Sequence, residues 1–506
     1  MISCPGVSRH FVKVGDRRVH YRKAGRGPVL LMLHQSPKSS REYEALMVEW
    51  GRHFTCIAPD TAGYGFSAPL QIDHPELTDF ADATCAFMDA LKMRKALVYG
   101  LHTGGTIAFL LARRHPERVA AVAANGFAIL TAAERADILA HYLPPFAPAW
   151  DGSHLAWLWA RLREQVIFFP WHDRRAAARM NYDMSPPEAL HENALELLHA
   201  GDHYRTAYGA VFRVKKEDIL AGIRTPALIV AHVKDPLHAH LARLPALPEN
   251  CRAVSMPTPE AARDEALEFL RGHAGQSDAA VADIALGYVA LEGGQLRMRM
   301  PVGGDGKPLL LLHDITENGD LVDRAVGAGR PLLIPDLPGH GLSDSFGGAV
   351  DVGRAATLLG AALDGLGVDE VDIHAQGFGA FVAVEMKHRA ARRIGRVAAS
   401  GLHVPPGDRW AEMARCYVPE CKPNAHGGHL LEAWLMVRNR QLFRPWYDQS
   451  EAAIIAGEPV LSPEFLQERL VALLDCAPVS RHLFQTMADY PLRERCREMG
   501  LQFAGD

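Results

Sequence analysis

The chain has 506 residues, net charge −5 and 48% apolar against 22% charged residues. That is too long for one hydrophobic core, so two or three domains are expected. No basic stripe points to nucleic acid, no apolar run approaches the ~18 residues of a membrane span, and no signal-peptide plan opens the sequence, so a cytoplasmic protein is expected.

In chain order, the first strand signal is "PVLLMLHQSP" (28–37), followed by "FTCIAPDTAGYGFSAP" (54–69). These short apolar runs, closed by Gly, Pro and Asp, read as strands buried on both faces of a parallel sheet. A helical stretch, "LTDFADATCAFMDALKM" (77–93), lies before "LVYGLHTGGTIAF" (97–109). The latter reads as strand, sharp glycine-flanked turn and helix. Gly100 and Gly104 fall two before and two after His102, which places His102 at the tip. Taking Thr103 as the tip would put Leu101 where a small residue is needed. An aromatic-rich helical region follows, then "TPALIVAHVKDP" (225–236) and "CRAVSMPTPEAARDEALEFL" (251–270), the last without a histidine. The small, polar "HAGQSDAAVAD" (273–283) reads as a linker.

The second half repeats the plan: "PLLLLHDITE" (308–317), "RPLLIPDLPGHGLSDS" (330–345), "DVGRAATLLGAALDGLG" (351–367), then "AQGFGA" with Gly377 at the tip. Residues 142–173 and 417–448 align without a gap at an offset of 275. They share Tyr142/Tyr417, His154/His429, Trp171/Trp446 and Asp173/Asp448, among others. Gly377 is His102 plus 275, so the chain reads as a tandem duplication. Eight scattered cysteines form no CxxC pair and are expected to be free thiols.

"LLMLHQSP", "APDTAGYGFS", "YGLHTGG" and "RRHPERV" in that order, with "LLLLHD", "IPDLPGHGLSD" and "AQGFGA" in the second half, resemble the α/β-hydrolase superfamily. The resemblance covers almost the whole chain. It implies an α/β fold of two tandem hydrolase-like domains, each a mostly parallel sheet flanked by helices with a helical cap. The expected bounds are 1–273 with a cap at about 128–220, and 284–506 with a cap at about 403–490. The second domain is expected to lack its last strands, and the halves to pack as an intramolecular pseudo-dimer. In that superfamily the elbow carries a nucleophile on a strained turn; here the slot holds histidine, or glycine in the second half.

The resemblance also implies a backbone oxyanion hole from Ser36 and Thr103, with Gln35 standing where glycine is common. Asp235 matches the late-strand acid and could orient His102 or be a plain turn residue before Pro236. His34 is a further catalytic candidate in the oxyanion loop. His154, Trp171, His172 and Asp173 in the cap are candidate substrate contacts, although recurrence of three of them in the second half equally suits cap folding. His102 itself reads as proton base or acid, as nucleophile, or as relic. The expected function is a cofactor-free enzyme acting on a small carbonyl, ester or acid substrate by hydrolysis or lyase- or isomerase-type proton transfer. The alternatives are a catalytically inactive binding or scaffold protein, and a serine hydrolase with a displaced nucleophile such as Ser36. No metal site is expected: Asp235, His238 and His240 read as a chance cluster. Neither nucleic acid nor membrane is an expected partner.

Overall fold

The computed structural model describes residues 4–278, 281–282, 286–300, 304–400 and 407–500, except the side chains of Gly407, Asp408 and Pro478. The expected linker and the start of the second cap lie partly outside them. The described residues divide into two compact units: Cys4–Ala147 with Trp157–Leu286, and Pro148–Ala156 with the residues from Gly287 on. The segment Pro148–Ala156 therefore belongs to the second unit, although the sequence reading placed it in the first cap.

The first unit is built on eight strands: β1 (Val7–Val14), β2 (Arg17–Gly25), β3 (Val29–Leu33), β4 (Thr55–Pro59), β5 (Ala96–Leu101), β6 (Val119–Asn125), β7 (Ala227–His232) and β8 (Cys251–Met256). Their order is β1-β2-β4-β3-β5-β6-β7-β8. From β4 to β8 the pairing is parallel, whereas β1 and β2 are antiparallel. The parallel centre is apolar on both faces because helices cover both: every residue of β3, β4 and β6 is buried. The leading hairpin is an element the sequence reading passed over. Its signal is the turn pair Gly15–Asp16 between two strand-length runs; Val14 pairs with Arg17 and Gly15 takes φ 58°.

The second unit has six strands: β9 (Tyr288–Leu291), β10 (Gly294–Arg299), β11 (Leu309–Leu312), β12 (Leu332–Pro335), β13 (Val371–Gln376) and β14 (Ile394–Ser400), ordered β14-β13-β11-β12-β10-β9. Its centre is again parallel, with an antiparallel β9–β10 pair at one edge. Among the described residues no strand follows β14. All eight cysteines are free thiols, and no helix of the described residues is long and apolar enough to cross a membrane.

The helices between β6 and β7 (Ala132–His141, Ser153–Ile167, Pro187–Ala200, Tyr204–Arg213) form the cap of the first unit, apart from Ser153–Ala156, which falls in the second. The loops after β3, β5 and β7 all leave the C-terminal ends of parallel strands, where open α/β sheets gather their chemistry.

Candidate active site

β5 runs into the helix Thr103–Arg114 through His102 alone, which takes φ 42° and ψ −100°. Left-handed backbone is uncommon for histidine and costs on the order of 1–3 kcal/mol. The surroundings enforce it. His102 N–H donates to Asn125 O at 3.0 Å, and His102 O accepts from Thr106 N–H at 3.0 Å. A Cβ at Gly104 would stand 1.9 Å from Leu33 O, and one at Gly100 2.4 Å from Gly104 C, so both glycines are needed for the helix to reach the strands. Gly377 repeats the turn in the second unit, at φ 48° and ψ −120°.

The turn aims His102 at the loop after β7. His102 Nε2 and Asp235 Oδ2 are 3.0 Å apart, the side chains 27% and 7% exposed. Asp235 Oδ1 accepts from Leu237 N–H at 2.7 Å, which fixes the carboxylate. Of its two sequence readings, the orienting carboxylate matches this geometry. The Cδ2–Nε2 edge of the ring lies against Gly126, where a Cβ would be 2.2 Å from Cδ2. Nδ1 is left as the nitrogen without a protein partner among the described residues. Burial works against the imidazolium. The Asp235 carboxylate, its hydrogen bond and the more distant Glu42 outweigh that, so the His102 pKa stands above 6.5. Asp235 is held below the usual carboxylate range: burial opposes its charge, but His102 and the Leu237 N–H prevail.

A cavity of about 50 Å³ adjoins the imidazole, lined by Ser36 and Thr103 on the sheet side and by Phe169, Tyr208 and Phe212 from the cap. Among the described residues no protein acceptor takes the N–H of Ser36 or Thr103. Gln35 is held in the loop after β3 because Glu42 receives both its backbone N–H (2.7 Å) and its side-chain amide (2.9 Å). Burial pushes the Glu42 carboxyl up to about 7.

Lys216, also in this lining, is the residue the sequence reading missed. It is 5% exposed, lies 5.6 Å from the Phe127 ring centre, and forms no hydrogen bond or ion pair among the described residues. Burial and then Arg135 bring its pKa down to about 7. The available signal was spacing: Ile219 and Leu220, three and four residues on, are buried on the same helical face.

Other expectations are corrected. His34 is not placed for catalysis: Nδ1 is 2.8 Å from Gln35 O, Nε2 accepts from Thr61 N–H at 2.8 Å, and the ring pins the oxyanion loop. None of the four cap candidates lines the cavity. His154 belongs to the second unit, where Nε2 meets Gln467 Oε1 at 3.0 Å. Trp171 donates to Tyr142 O at 3.0 Å, as Trp446 does to Tyr417 O at 2.8 Å, so this repeated pair folds the cap. His172 bonds Asp137 at 2.8 Å, and Asp173 receives Arg175 at 2.7 Å.

A larger groove of about 980 Å³ opens between Leu70–Pro75 and the cap, and none of the dyad, Ser36 or Thr103 lines it. The His238 ring bonds Ser255 Oγ and the His240 ring the backbone of Ile129, so neither imidazole is hydrogen-bonded to the Asp235 carboxylate. On the cap surface Asp137, His141 and His172 bring three potential metal-ligand atoms within 4.8 Å of one another, a grouping the sequence reading did not foresee.

Strand, tight turn, helix and flanking oxyanion loop coincide with a match of residues 28–165 to the family model described as alpha/beta hydrolase fold. The first unit is an alpha/beta hydrolase fold. Curated relatives include a haloalkane dehalogenase of Mesorhizobium japonicum, 36% identical over 116 residues (23% of this chain, 37% of that one). A 2-hydroxymuconate semialdehyde hydrolase of a Pseudomonas species is 30% identical over 148 residues (28% and 52%). The chain thus spans about a third to a half of these relatives' length. Among solved structures, a hydrolase from Pseudomonas aeruginosa aligns at 22% identity and TM-score 0.41, over 53% of this chain and 99% of that one. The family match includes His34, Ser36, His102 and Thr103; it stops before Asp235 and Lys216.

Proposed function

We propose that the first unit is a cofactor-free enzyme acting on a small carbonyl, ester or acid compound by proton transfer at His102. The observation that carries this reading is the 3.0 Å His102–Asp235 contact at a strained elbow. Asp235 holds the imidazole by Nε2, and the lone pair on Nδ1 takes a proton from the substrate carbon next to the carbonyl. The C–H electron pair moves onto the carbonyl oxygen, and the enolate oxygen is met by the N–H groups of Ser36 and Thr103. Such donors are worth roughly 2.7–4 kcal/mol each when removed. Lys216, charged below its pKa of about 7, adds positive potential to the same cavity. Return of the proton elsewhere, or loss of a leaving group, completes an isomerisation or lyase reaction. The raised His102 pKa suits a base. A cavity of about 50 Å³ matches a substrate of few heavy atoms.

The displaced-serine alternative cannot use His34 as its base, because both nitrogens of His34 are engaged with backbone. The test is a turnover screen of short-chain esters, keto acids and lactones with the wild type, His102→Ala and Asp235→Asn. A hit should lose about a hundredfold or more in kcat in His102→Ala. Full activity in that variant, or labelling of Ser36 by a phosphonate probe, would refute the reading.

A further inference from the structure

The second unit holds a cavity of about 430 Å³ over Gly377, and its oxyanion hole is closed from within. His313 Nδ1 lies 2.7 Å from Asp314 O and Nε2 accepts from Leu337 N–H at 2.9 Å, the arrangement of His34. Ile315 and Phe378 thereby stand where Ser36 and Thr103 stand in the first unit. Both their N–H groups donate to one atom, Asp314 Oδ1, at 2.7 and 3.0 Å. A Cβ at position 377 would fall 1.8 Å from that oxygen, so only glycine at the elbow leaves room for the carboxylate. The other carboxylate oxygen receives Arg440 Nη2 at 3.3 Å. An internal anion therefore occupies the two donors that oxyanion chemistry would need.

The space above remains open, and its lining has two characters. One wall is aromatic: Tyr417 stacks on Phe484 with ring centres 4.8 Å apart, and Trp410 meets Phe484 edge-on at 5.3 Å. The polar lining includes three arginines, Arg409, Arg440 and Arg444, and two carboxyl residues, Asp314 and Glu317. Arg440 is committed to Asp314 and Thr316 and lies over the Tyr417 ring. Arg444 is exposed, and its guanidinium makes no hydrogen bond or ion pair among the described residues. Asp314 already accepts three N–H hydrogen bonds, so Glu317 is the lining carboxyl with more of its acceptor capacity left for an ammonium ligand. Burial and the neighbouring Asp314 hold the Glu317 carboxyl above its usual range, which weakens its repulsion of an anion. The volume falls in the roughly 300–1,000 Å³ of small-molecule sites.

We propose that this cavity binds a small organic carboxylate with an aromatic or apolar body, its carboxylate on Arg444 and its body against Trp410 and Phe484, and that it holds this ligand without transforming it. The site is separate from His102 and does not rest on the function proposed above. The probe is 2-naphthoate, titrated calorimetrically into the full chain and followed by tryptophan fluorescence, with 2-naphthylmethylammonium as its cationic counterpart. Saturable 1:1 binding of the carboxylate alone is expected, weakened about tenfold or more in Arg444→Glu and largely kept in Arg444→Lys. Arg444 is exposed, so Arg444→Glu should fold, and its melting curve checks this. Absence of saturable naphthoate binding, equal binding of the cation, or an affinity untouched by Arg444→Glu would each overturn the proposal.

Discussion

The His102–Asp235 pair contributes stability and buried Lys216 costs it, and the two effects respond to pH in opposite senses. The folded pKa of His102 is raised, so its ion pair contributes fully below the unfolded value near 6.5 and fades as pH rises through the folded value. His102→Gly would relieve the positive φ yet strand a buried Asp235. Chemical denaturation should show a loss of about 1–3 kcal/mol at pH 6 that shrinks by pH 9. Lys216 has a depressed pKa: the unfolded chain binds its proton more tightly, so the penalty is constant below about pH 7 and vanishes toward 10.5. Lys216→Met should therefore stabilise the protein by an amount on the order of several kcal/mol at pH 7, with little difference near pH 10. An unchanged melting temperature at neutral pH would mean that the amine is well solvated. A buried lysine beside a histidine–aspartate pair costs stability that a purely structural role does not explain.

At the scale of the element, the elbow is set by backbone sterics. Gly104→Ala should cost about 3 kcal/mol or more, because the obstructing atoms, Leu33 O and His34 O, are backbone and cannot turn aside. Gly126→Ala would force a Cβ into the His102 ring at a residue with φ 77°, so it should displace the imidazole from Asp235 and abolish turnover. The strands β3, β4, β5, β7 and β8, the elbow and its tip residue were legible in the sequence, because apolar runs between Gly, Pro and Asp leave few alternatives. The leading hairpin was not read because its alternation is masked by burial of both faces: His10, Phe11 and Val12 are all buried. The cap contacts were misread for a different reason. Repetition between the halves preserved residues that fold the cap, such as Tyr142 with Trp171, whereas Tyr208 and Phe212, which line the cavity, lie outside the repeated stretch.

For the whole molecule, one turn has two fates. In the first unit it carries a histidine paired with Asp235 beside two backbone donors that have no protein acceptor among the described residues. In the second it carries a glycine, and Asp314 takes the donors itself. On the proposed function, a single change at His102 should remove all turnover from the full chain. The most direct measurement of the central claim is deuterium incorporation from D₂O at the carbon next to the carbonyl in a panel of small ketones and keto acids, followed by proton NMR. The wild type should exchange at least one of them far above background, and His102→Ala should fall to background. Equal exchange in the two proteins would contradict proton transfer at His102.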